Sequence, residues 1–280
     1  MYKIIRKVKL NQTITLMDID APFIARKAEP GQFIILRIDK DGERIPLTIA
    51  DFDRKKGIVT IIFQVVGGTT LELNQKNEGE YLLDFVGPLG TKTKTEGLKK
   101  VAIVGGGVGC AIAYPVAKKL HEQGAVVHTI IGFRTKDLVI LEAEFNAVSD
   151  KLITMTDDGS YNEKGLVTDA LRRLLDSGED YDEIITIGPL IMMKFVSELT
   201  KQYGVKTTVS MNPIMIDGTG MCGGCRLTVG DKTKFACVDG PDFDGHEVDF
   251  DEAIKRSKIY NTIEKKAHEK ACNLLKKEVI

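Results

Sequence analysis

The chain has 280 residues, enough for two domains with a full hydrophobic core. Its 39 basic and 40 acidic residues almost cancel, so the charge does not indicate a nucleic-acid-binding protein. The first residues are charged, and the longest uncharged stretch is interrupted by glycines and a proline. We therefore expect no signal peptide, no membrane segment and a cytoplasmic location.

The first third of the chain has the pattern of short β-strands. Short apolar runs alternate with turn signals such as Glu29-Pro30-Gly31 and Lys55-Lys56-Gly57 as far as about Gly90. Because no long helical pattern interrupts them, the sequence predicts an antiparallel β-barrel.

Two loops of this barrel carry groups that could bind phosphate. Arg44-Ile45-Pro46-Leu47-Thr48 combines a cation, a rigid backbone and a hydroxyl. In a second loop, Gly67 and Gly68 precede Thr69 and Thr70 at the start of a helical pattern, where backbone N–H groups could receive a pyrophosphate. Each loop alone is better explained by an ordinary β-turn, and the two together, upstream of the next domain, strengthen the phosphate-binding interpretation.

After a polar linker at 94–100, the pattern changes to alternating strands and helices. Val101–Val104 is a buried strand, and helical and strand patterns then alternate as far as Ser210. This order predicts a doubly wound, mostly parallel α/β sheet.

A glycine-rich turn joins the first strand of this sheet to its first helix. Glycine at this place lets a dinucleotide pyrophosphate approach the backbone at the helix start. The spacing Gly105-Gly106-Gly107-Val108-Gly109 differs from Gly-x-Gly-x-x-Gly. The second strand is followed by Arg134 and Lys136 instead of an acid, so chemistry alone favours NADP(H).

Two further segments follow predicted strands at the carboxyl edge of the sheet, where ligands bind in open α/β folds. Asp157 and Asp158 either contact ribose or nicotinamide or cap a turn, and the sequence favours neither. Gly188-Pro189 follows a later strand, and the next methionines, Met192 and Met193, are expected in the helix core.

The last segment carries a candidate metal site. Cys222 and Cys225 enclose two glycines, and eleven residues separate Cys225 from Cys237. Asp217 lies five positions before Cys222, where the plant-type Cys-x4-Cys-x2-Cys pattern has its first cysteine. This set favours an iron–sulfur cluster with one carboxylate ligand, and a structural zinc ribbon remains the alternative.

The order of barrel, dinucleotide fold and three-cysteine site resembles the ferredoxin–NADP reductase superfamily. Within it, the chain resembles the dihydroorotate dehydrogenase electron-transfer subunit branch, including the small subunits of bifurcating ferredoxin:NADP oxidoreductases. The resemblance covers nearly the whole chain and is most specific at 212–226 and 235–241. It implies a barrel over 1–97, a nucleotide domain over 98–210, and a cluster domain with a terminal helix over 211–280.

The resemblance also implies three cofactors: FAD, a 2Fe-2S cluster and NAD(H), with NADP(H) as the alternative. It implies FAD at Arg44, Ile45, Pro46, Leu47, Thr48, Ile62, Phe63, Gln64, Thr69 and Thr70. It implies the nucleotide at Gly105, Gly106, Gly107, Gly109, Arg134, Asp157, Asp158, Gly188 and Pro189. It implies the cluster at Asp217, Cys222, Cys225 and Cys237.

Two positions depart from the superfamily. Its arginine three residues before the hydroxyl of the flavin loop would stand at Ile45, whereas this chain has Arg44. The cysteine that often precedes Gly-Pro is replaced by Ile187, so no thiol is available there.

The implied function is electron transfer in the order NAD(H), FAD, cluster, without a general acid or base from the protein. The implied partner is a larger flavin and iron–sulfur subunit in a heterodimer, with ferredoxin reached indirectly through it. An electron-transfer subunit of a dihydroorotate or sulfide dehydrogenase is the alternative. A zinc-stabilised nucleotide-binding regulator without redox activity is a third hypothesis.

Overall fold

A computed structural model describes residues 1–264 of the 280-residue chain. The helix predicted from Asp249 towards Lys277 is observed as Phe250–Ser257, and the later part of that prediction, with Cys272, lies outside the described residues. No helix among residues 1–264 is long and apolar enough to cross a membrane.

Seven antiparallel strands curl into the nearly closed barrel that the sequence predicts. They are β1 (Tyr2–Lys9), β2 (Ile14–Asp20), β3 (Phe33–Arg37), β4 (Ile45–Asp53), β5 (Ile58–Gln64), β6 (Tyr81–Leu82) and β7 (Asp84–Leu89). Their order is β6-β1-β2-β5-β4-β3-β7. Two short helices, α1 (Pro22–Ala25) and α2 (Gly68–Gln75), fill the connections.

The second sheet is parallel and begins at the predicted strand. Its strands are β8 (Lys100–Gly106), β9 (Val126–Phe133), β10 (Lys151–Thr156), β11 (Glu163–Lys164), β12 (Glu183–Ile187) and β13 (Thr207–Ser210). The helices between them are α3 (Cys110–Glu122), α4 (Glu142–Ala147), α5 (Val167–Asp176) and α6 (Leu190–Gln202). Every residue of β12 is buried, as expected for a parallel strand covered by helices on both faces.

The last described segment is divided between a hairpin and the second sheet. The hairpin consists of β14 (Arg226–Val229) and β15 (Lys232–Phe235), and it stands between the second and third clustered cysteines. Strand β16 (Asp242–Asp244) pairs antiparallel with β13, which gives the order β11-β10-β9-β8-β12-β13-β16. Helix α7 (Phe250–Ser257) follows.

The barrel contacts both the second sheet and the segment that carries the cysteines. Lys118 of α3 forms a salt bridge of 3.0 Å with Asp51 of β4. On another side, the backbone N–H and the hydroxyl of Thr91 both donate to the carbonyl oxygen of Gly240. The barrel end therefore contacts both the nucleotide sheet and the cysteine-bearing segment.

Candidate functional site

A cavity of about 680 Å³ lies where the barrel, the carboxyl edge of the second sheet and segment 211–241 meet. Pockets that take organic ligands usually have volumes of roughly 300–1,000 Å³. The barrel lines it with Thr13, Ile14, Phe33, Pro46, Thr48 and Gln64. The second sheet lines it with Gly106, Gly107, Gly109, Arg134, Asp157, Gly188 and Pro189, among others.

Strand β4 divides the residues of the predicted flavin loop between two faces. Pro46 and Thr48 line the cavity, whereas Ile45 and Leu47 pack against the barrel core. Arg44 precedes β4, is exposed and lies outside the cavity lining, one position from where the superfamily pattern has its arginine.

The remaining residues predicted to bind flavin lie in three settings. Gln64, at the end of β5, lines the cavity. Ile62 and Phe63 on the same strand are buried in the protein core. Thr69 and Thr70 lie on α2 outside the cavity, where Thr69 donates to the carboxylate of Glu43 at 2.6 Å.

The glycine turn after β8 is packed closely on one side and open on the other. A Cβ on Gly109 would lie 2.5 Å from the carbonyl oxygen of Ile187. At Gly107, where φ is +55°, a Cβ would meet nothing within 4 Å. Gly105 lies in the buried strand, and Gly106, Gly107 and Gly109 line the cavity. Backbone N–H groups at such a turn fit a pyrophosphate.

The two aspartates after β10 have different surroundings. Asp157 lines the cavity beside Arg134. Asp158 lies outside the lining, and its carboxylate accepts a hydrogen bond of 2.9 Å from the backbone N–H of Ser160. This bond and one from the Ser160 side chain hold the pKa of Asp158 below its usual value.

The apolar wall near the end of β12 contains no thiol. Ile187, Gly188 and Pro189 all line the cavity. Met193 is fully buried, as the sequence predicts, whereas Met192 is half-buried and reaches the cavity next to Gly106.

The carboxylate of Asp217 accepts hydrogen bonds from the loop that begins at this residue. Oδ2 of Asp217 accepts hydrogen bonds from the Thr219 hydroxyl at 2.7 Å and from the backbone N–H of Met221 at 3.1 Å. Oδ1 is buried and has no hydrogen-bond partner within residues 1–264. A buried oxygen without a partner is costly, so Oδ1 is well suited to ligate a metal ion.

The three cysteines complete the donor set. Cys225 and Cys237 are buried, and Cys222 is exposed. Burial, followed by the neighbouring Cys225, raises the pKa of Cys237 to about 12. Bound iron would offset this cost, because metal ligation deprotonates a thiol.

Among the four donors, Cys222 has the largest effect on the pKa of Asp217, and Cys225 has the largest effect on the pKa of Cys237, which pairs them two by two. No group of three such side chains in the described part of the chain is arranged to hold one metal ion. A 2Fe-2S cluster bound by four protein ligands has two for each iron, so the paired arrangement fits it.

Several cavity residues were not predicted from the sequence. They include Phe33 on the barrel, Leu166 and Phe195 near α5 and α6, and Met211 and Pro241 beside β13 and β16. No local motif marks these positions, because they meet only when the barrel and the two later segments pack together. The Asn212-Pro213 pair was the one available signal, since it opens the most specific stretch of the resemblance.

The comparisons with known proteins agree with this geometry. The family model described as the iron–sulfur cluster binding domain of dihydroorotate dehydrogenase B matches residues 212–249. The dihydroorotate dehydrogenase B (NAD⁺) electron-transfer subunit homolog of Thermotoga maritima is 47% identical over 268 residues, covering 96% of this chain and 94% of the relative.

Two solved structures have a similar fold. One, reported in a study of flavin-based electron bifurcation, is NADH-dependent reduced ferredoxin–NADP oxidoreductase. It is 46% identical with a TM-score of 0.91, and the match covers 96% of this chain and 97% of the other. The ferredoxin reductase of carbazole 1,9a-dioxygenase has a TM-score of 0.63 at 18% identity, covering 73% of this chain and 65% of the other, which shows the fold alone.

These matches confirm the predicted superfamily, fold class and cofactor set. They also identify the chain as one subunit of a multi-subunit oxidoreductase. The chain belongs to the family of dihydroorotate dehydrogenase B electron-transfer subunits, and its cofactors are FAD, a 2Fe-2S cluster and NAD(H) or NADP(H).

Proposed function

We propose that this chain is the NAD(H)-side subunit of an electron-bifurcating enzyme that couples NADH and reduced ferredoxin to NADP⁺ reduction. The observation that carries the proposal is the buried, unpartnered Oδ1 of Asp217, which stands in a ligand set otherwise made of thiols. The similarity to NADH-dependent reduced ferredoxin–NADP oxidoreductase supports the same assignment.

The residues have three separate tasks in this proposal. Pro46, Thr48 and Gln64 hold the flavin ring, and Arg44, Thr69 and Thr70 serve its phosphates on the adjoining surface. The other barrel residues predicted to bind flavin, Ile45, Leu47, Ile62 and Phe63, support that wall by packing against the protein core.

On the opposite wall, the glycine turn receives the pyrophosphate of the dinucleotide. Gly188 and Pro189 leave space for the nicotinamide beside the flavin wall. When bound, FAD supplies the chemistry that connects a two-electron hydride with the one-electron cluster. The protein contributes position and exclusion of water, because the lining near Ile187 and Met192 is apolar and carries no acid or base.

The partner is a larger subunit that contacts the cluster segment. That subunit, and not this chain, binds ferredoxin. Cys222 is exposed, and the apolar Ile216 and Met221 near it are 54% and 88% exposed. We retain 1–97, 98–210 and 211–280 as the three domains, and we place the heterodimer in the cytoplasm, since cysteine ligands require a reducing compartment.

Anaerobic purification of the native chain with its partners tests the proposal. We expect iron and FAD in this chain, and a second subunit that contributes a further flavin and four-iron clusters. The purified complex should reduce NADP⁺ only when NADH and reduced ferredoxin are both present.

A dihydroorotate dehydrogenase partner is the second candidate, and the description of the matching cluster-domain family favours it. Copurification with that partner would contradict bifurcation while leaving the cofactor set intact. Zinc without flavin in the purified chain would contradict the redox assignment altogether.

A further inference from the structure

A buried carboxyl group lies just behind the cavity wall, at the end of β13. Ser210, Met211 and Pro241 line the cavity there. Asp242 of β16 is the strand partner of Ser210. Because residues paired across two strands stand on the same face of the sheet, with Cβ atoms about 5 Å apart, the carboxyl group of Asp242 lies next to the hydroxyl of Ser210.

The same place adjoins the wall that holds the flavin ring. Phe33 of β3 lines the cavity and pairs with Thr48 of β4. A Cβ on Gly90 would lie 2.8 Å from the Phe33 ring and 3.1 Å from the carbonyl oxygen of Gly240. Phe33 and Gly240 therefore pack around Gly90, which brings the segment that leads into β16 against the flavin wall.

The carboxyl group of Asp242 is only partly satisfied by the protein. Its Oδ2 accepts a hydrogen bond of 2.5 Å from the Thr93 hydroxyl. Its Oδ1 is buried and has no hydrogen-bond partner within residues 1–264. Because burial penalises the charged form, the pKa of Asp242 is raised to about 6. The group is therefore ionised at neutral pH, and it takes up a proton more readily than an exposed aspartate.

A route from this carboxyl group to solvent runs along the same face of the sheet. Thr208, two residues before Ser210, donates to the buried carboxylate of Glu183. The Nζ atom of Lys206, on an exposed side chain, donates to the same carboxylate at 2.7 Å. Glu183 is close enough to Asp242 to raise its pKa. Polar groups thus connect the buried carboxyl group with the protein surface.

The electron transfer proposed for this chain leaves one proton behind. NADH gives up a hydride, which is one proton with two electrons, whereas an iron–sulfur cluster takes single electrons and no proton. The balance is NADH → NAD⁺ + H⁺ + 2 e⁻, so one proton for each NADH must leave the cavity. The apolar wall at Ile187 and Met192 offers no group that accepts it.

We propose that Asp242 accepts this proton through the hydroxyl of Ser210. An O–H bond forms at the Asp242 carboxylate as an N–H bond of the flavin ring breaks, and the two electrons leave singly for the cluster. This inference rests on the proposed function, because it requires FAD and the nicotinamide nucleotide in this cavity. It adds a proton acceptor to a chain whose sequence implies no general acid or base.

The test is incubation of the FAD-loaded protein with NADH and NAD⁺ in deuterium oxide. Hydrogen that has reached the flavin returns to NAD⁺ as deuterium only after its proton has exchanged with solvent. Nuclear magnetic resonance at C4 of NADH gives the rate of deuterium incorporation, and bleaching of the flavin absorbance gives the rate of hydride transfer. Asp242→Asn should slow incorporation at least about tenfold more than bleaching, since positioned proton acceptors contribute about 10²- to 10⁴-fold.

Infrared titration of the carboxyl group is a readout that does not depend on turnover. The difference between the spectra of wild type and Asp242→Asn isolates the carboxyl stretch of Asp242. In the FAD-loaded protein the pKa of Asp242 should be higher after reduction than before, because the electrons bring negative charge next to Ser210. An equal pKa in the oxidised and reduced protein would overturn the inference.

Asp244→Asn is the matched control. It removes the same charge from the same strand at an exposed position outside the cavity lining, so it should keep both rates. Ser210→Ala removes the connecting hydroxyl and should slow incorporation as Asp242→Asn does. A wild-type ratio of the two rates in either Asp242→Asn or Ser210→Ala would overturn the inference alone. Wild-type protein whose flavin NADH does not bleach would overturn the proposed function as well.

Discussion

At the scale of single residues, Asp217 has the largest consequence for the chemistry. Hydrogen bonds from Cys222 and Thr219 hold the pKa of its carboxyl well below the usual value. The carboxylate is therefore ionised at every pH at which a protein of this kind is folded. Since its Oδ2 is fixed by Thr219 and Met221, Oδ1 is oriented before any iron arrives.

Replacement of Asp217 by cysteine should preserve the cluster and lower its reduction potential. A thiolate donates more charge to iron than a carboxylate, so it stabilises the oxidised cluster, by an amount on the order of tens of millivolts. Anaerobic redox titration followed by electron paramagnetic resonance measures the potential. Asp231→Cys, with a thiol on the exposed hairpin turn, is the control, and equal potentials in wild type and Asp217→Cys would refute ligation by Asp217.

At the scale of elements, the loop from Asp217 to Cys225 depends on glycines in the left-handed region. Gly218 has a φ of +76°, and a Cβ there would lie 2.8 Å from Leu89 Cδ1 of the barrel. The guanidinium of Arg256 on α7 donates to the Gly224 carbonyl oxygen at 3.3 Å from the other side. The loop is therefore held between the barrel and α7.

Gly218→Ala should destabilise the protein more than an alanine at an equally strained but open position. Gly124 has a φ of +81°, and a Cβ there meets nothing within 4 Å. Left-handed backbone strain alone costs roughly 1–2 kcal/mol, and Gly124→Ala should lower the unfolding free energy by this amount only. We expect about 1 kcal/mol more for Gly218→Ala, because Leu89 must move. Denaturant unfolding measures the unfolding free energy of both variants. Equal losses of unfolding free energy would show that the contact with Leu89 is unimportant.

The sequence predicted most elements because their signals are local. Alternation predicted the barrel strands, and the glycine turn between a strand and a helix predicts where the nucleotide binds. The pairing of β16 with β13 was not predictable, because three residues carry no pattern of their own. The roles of Asp157 and Asp158 were likewise inseparable, since the hydrogen bond to Ser160 that distinguishes them is made by the folded turn.

At the scale of the whole molecule, Asp242 joins three segments of the chain. The Thr93 hydroxyl, after the barrel, donates to Asp242 Oδ2 at 2.5 Å, and Asp242 pairs with Ser210 where β16 runs beside β13. Oδ1 is buried and has no partner among the residues described. Burial, together with a smaller effect of Glu183, raises the pKa of Asp242 to about 6 against the opposing effect of the hydrogen bond from Thr93.

This raised pKa predicts a pH-dependent stability with a definite sign. The folded state binds the Asp242 proton more tightly than the unfolded state, so this contribution is complete below pH 3.8 and is lost as the pH rises to about 6. The full difference corresponds to about 3 kcal/mol.

Asp242→Asn, which does not ionise, should gain stability relative to wild type as the pH rises from 5 to 7. Chemical denaturation at several pH values gives the difference in unfolding free energy between the two proteins. A difference that does not change with pH would show that Asp242 titrates normally.

The pairing of β16 with β13 limits where the chain can be truncated. Strand β13 is followed in the chain by the cluster loop, and only then does the chain return as β16 to cover its edge. A chain cut after Ser210 would expose the backbone N–H and C=O groups of β13 as an open edge, which favours aggregation. The cluster segment therefore cannot be removed as a separate unit. A variant that loses the iron site, in evolution or by engineering, must keep β16.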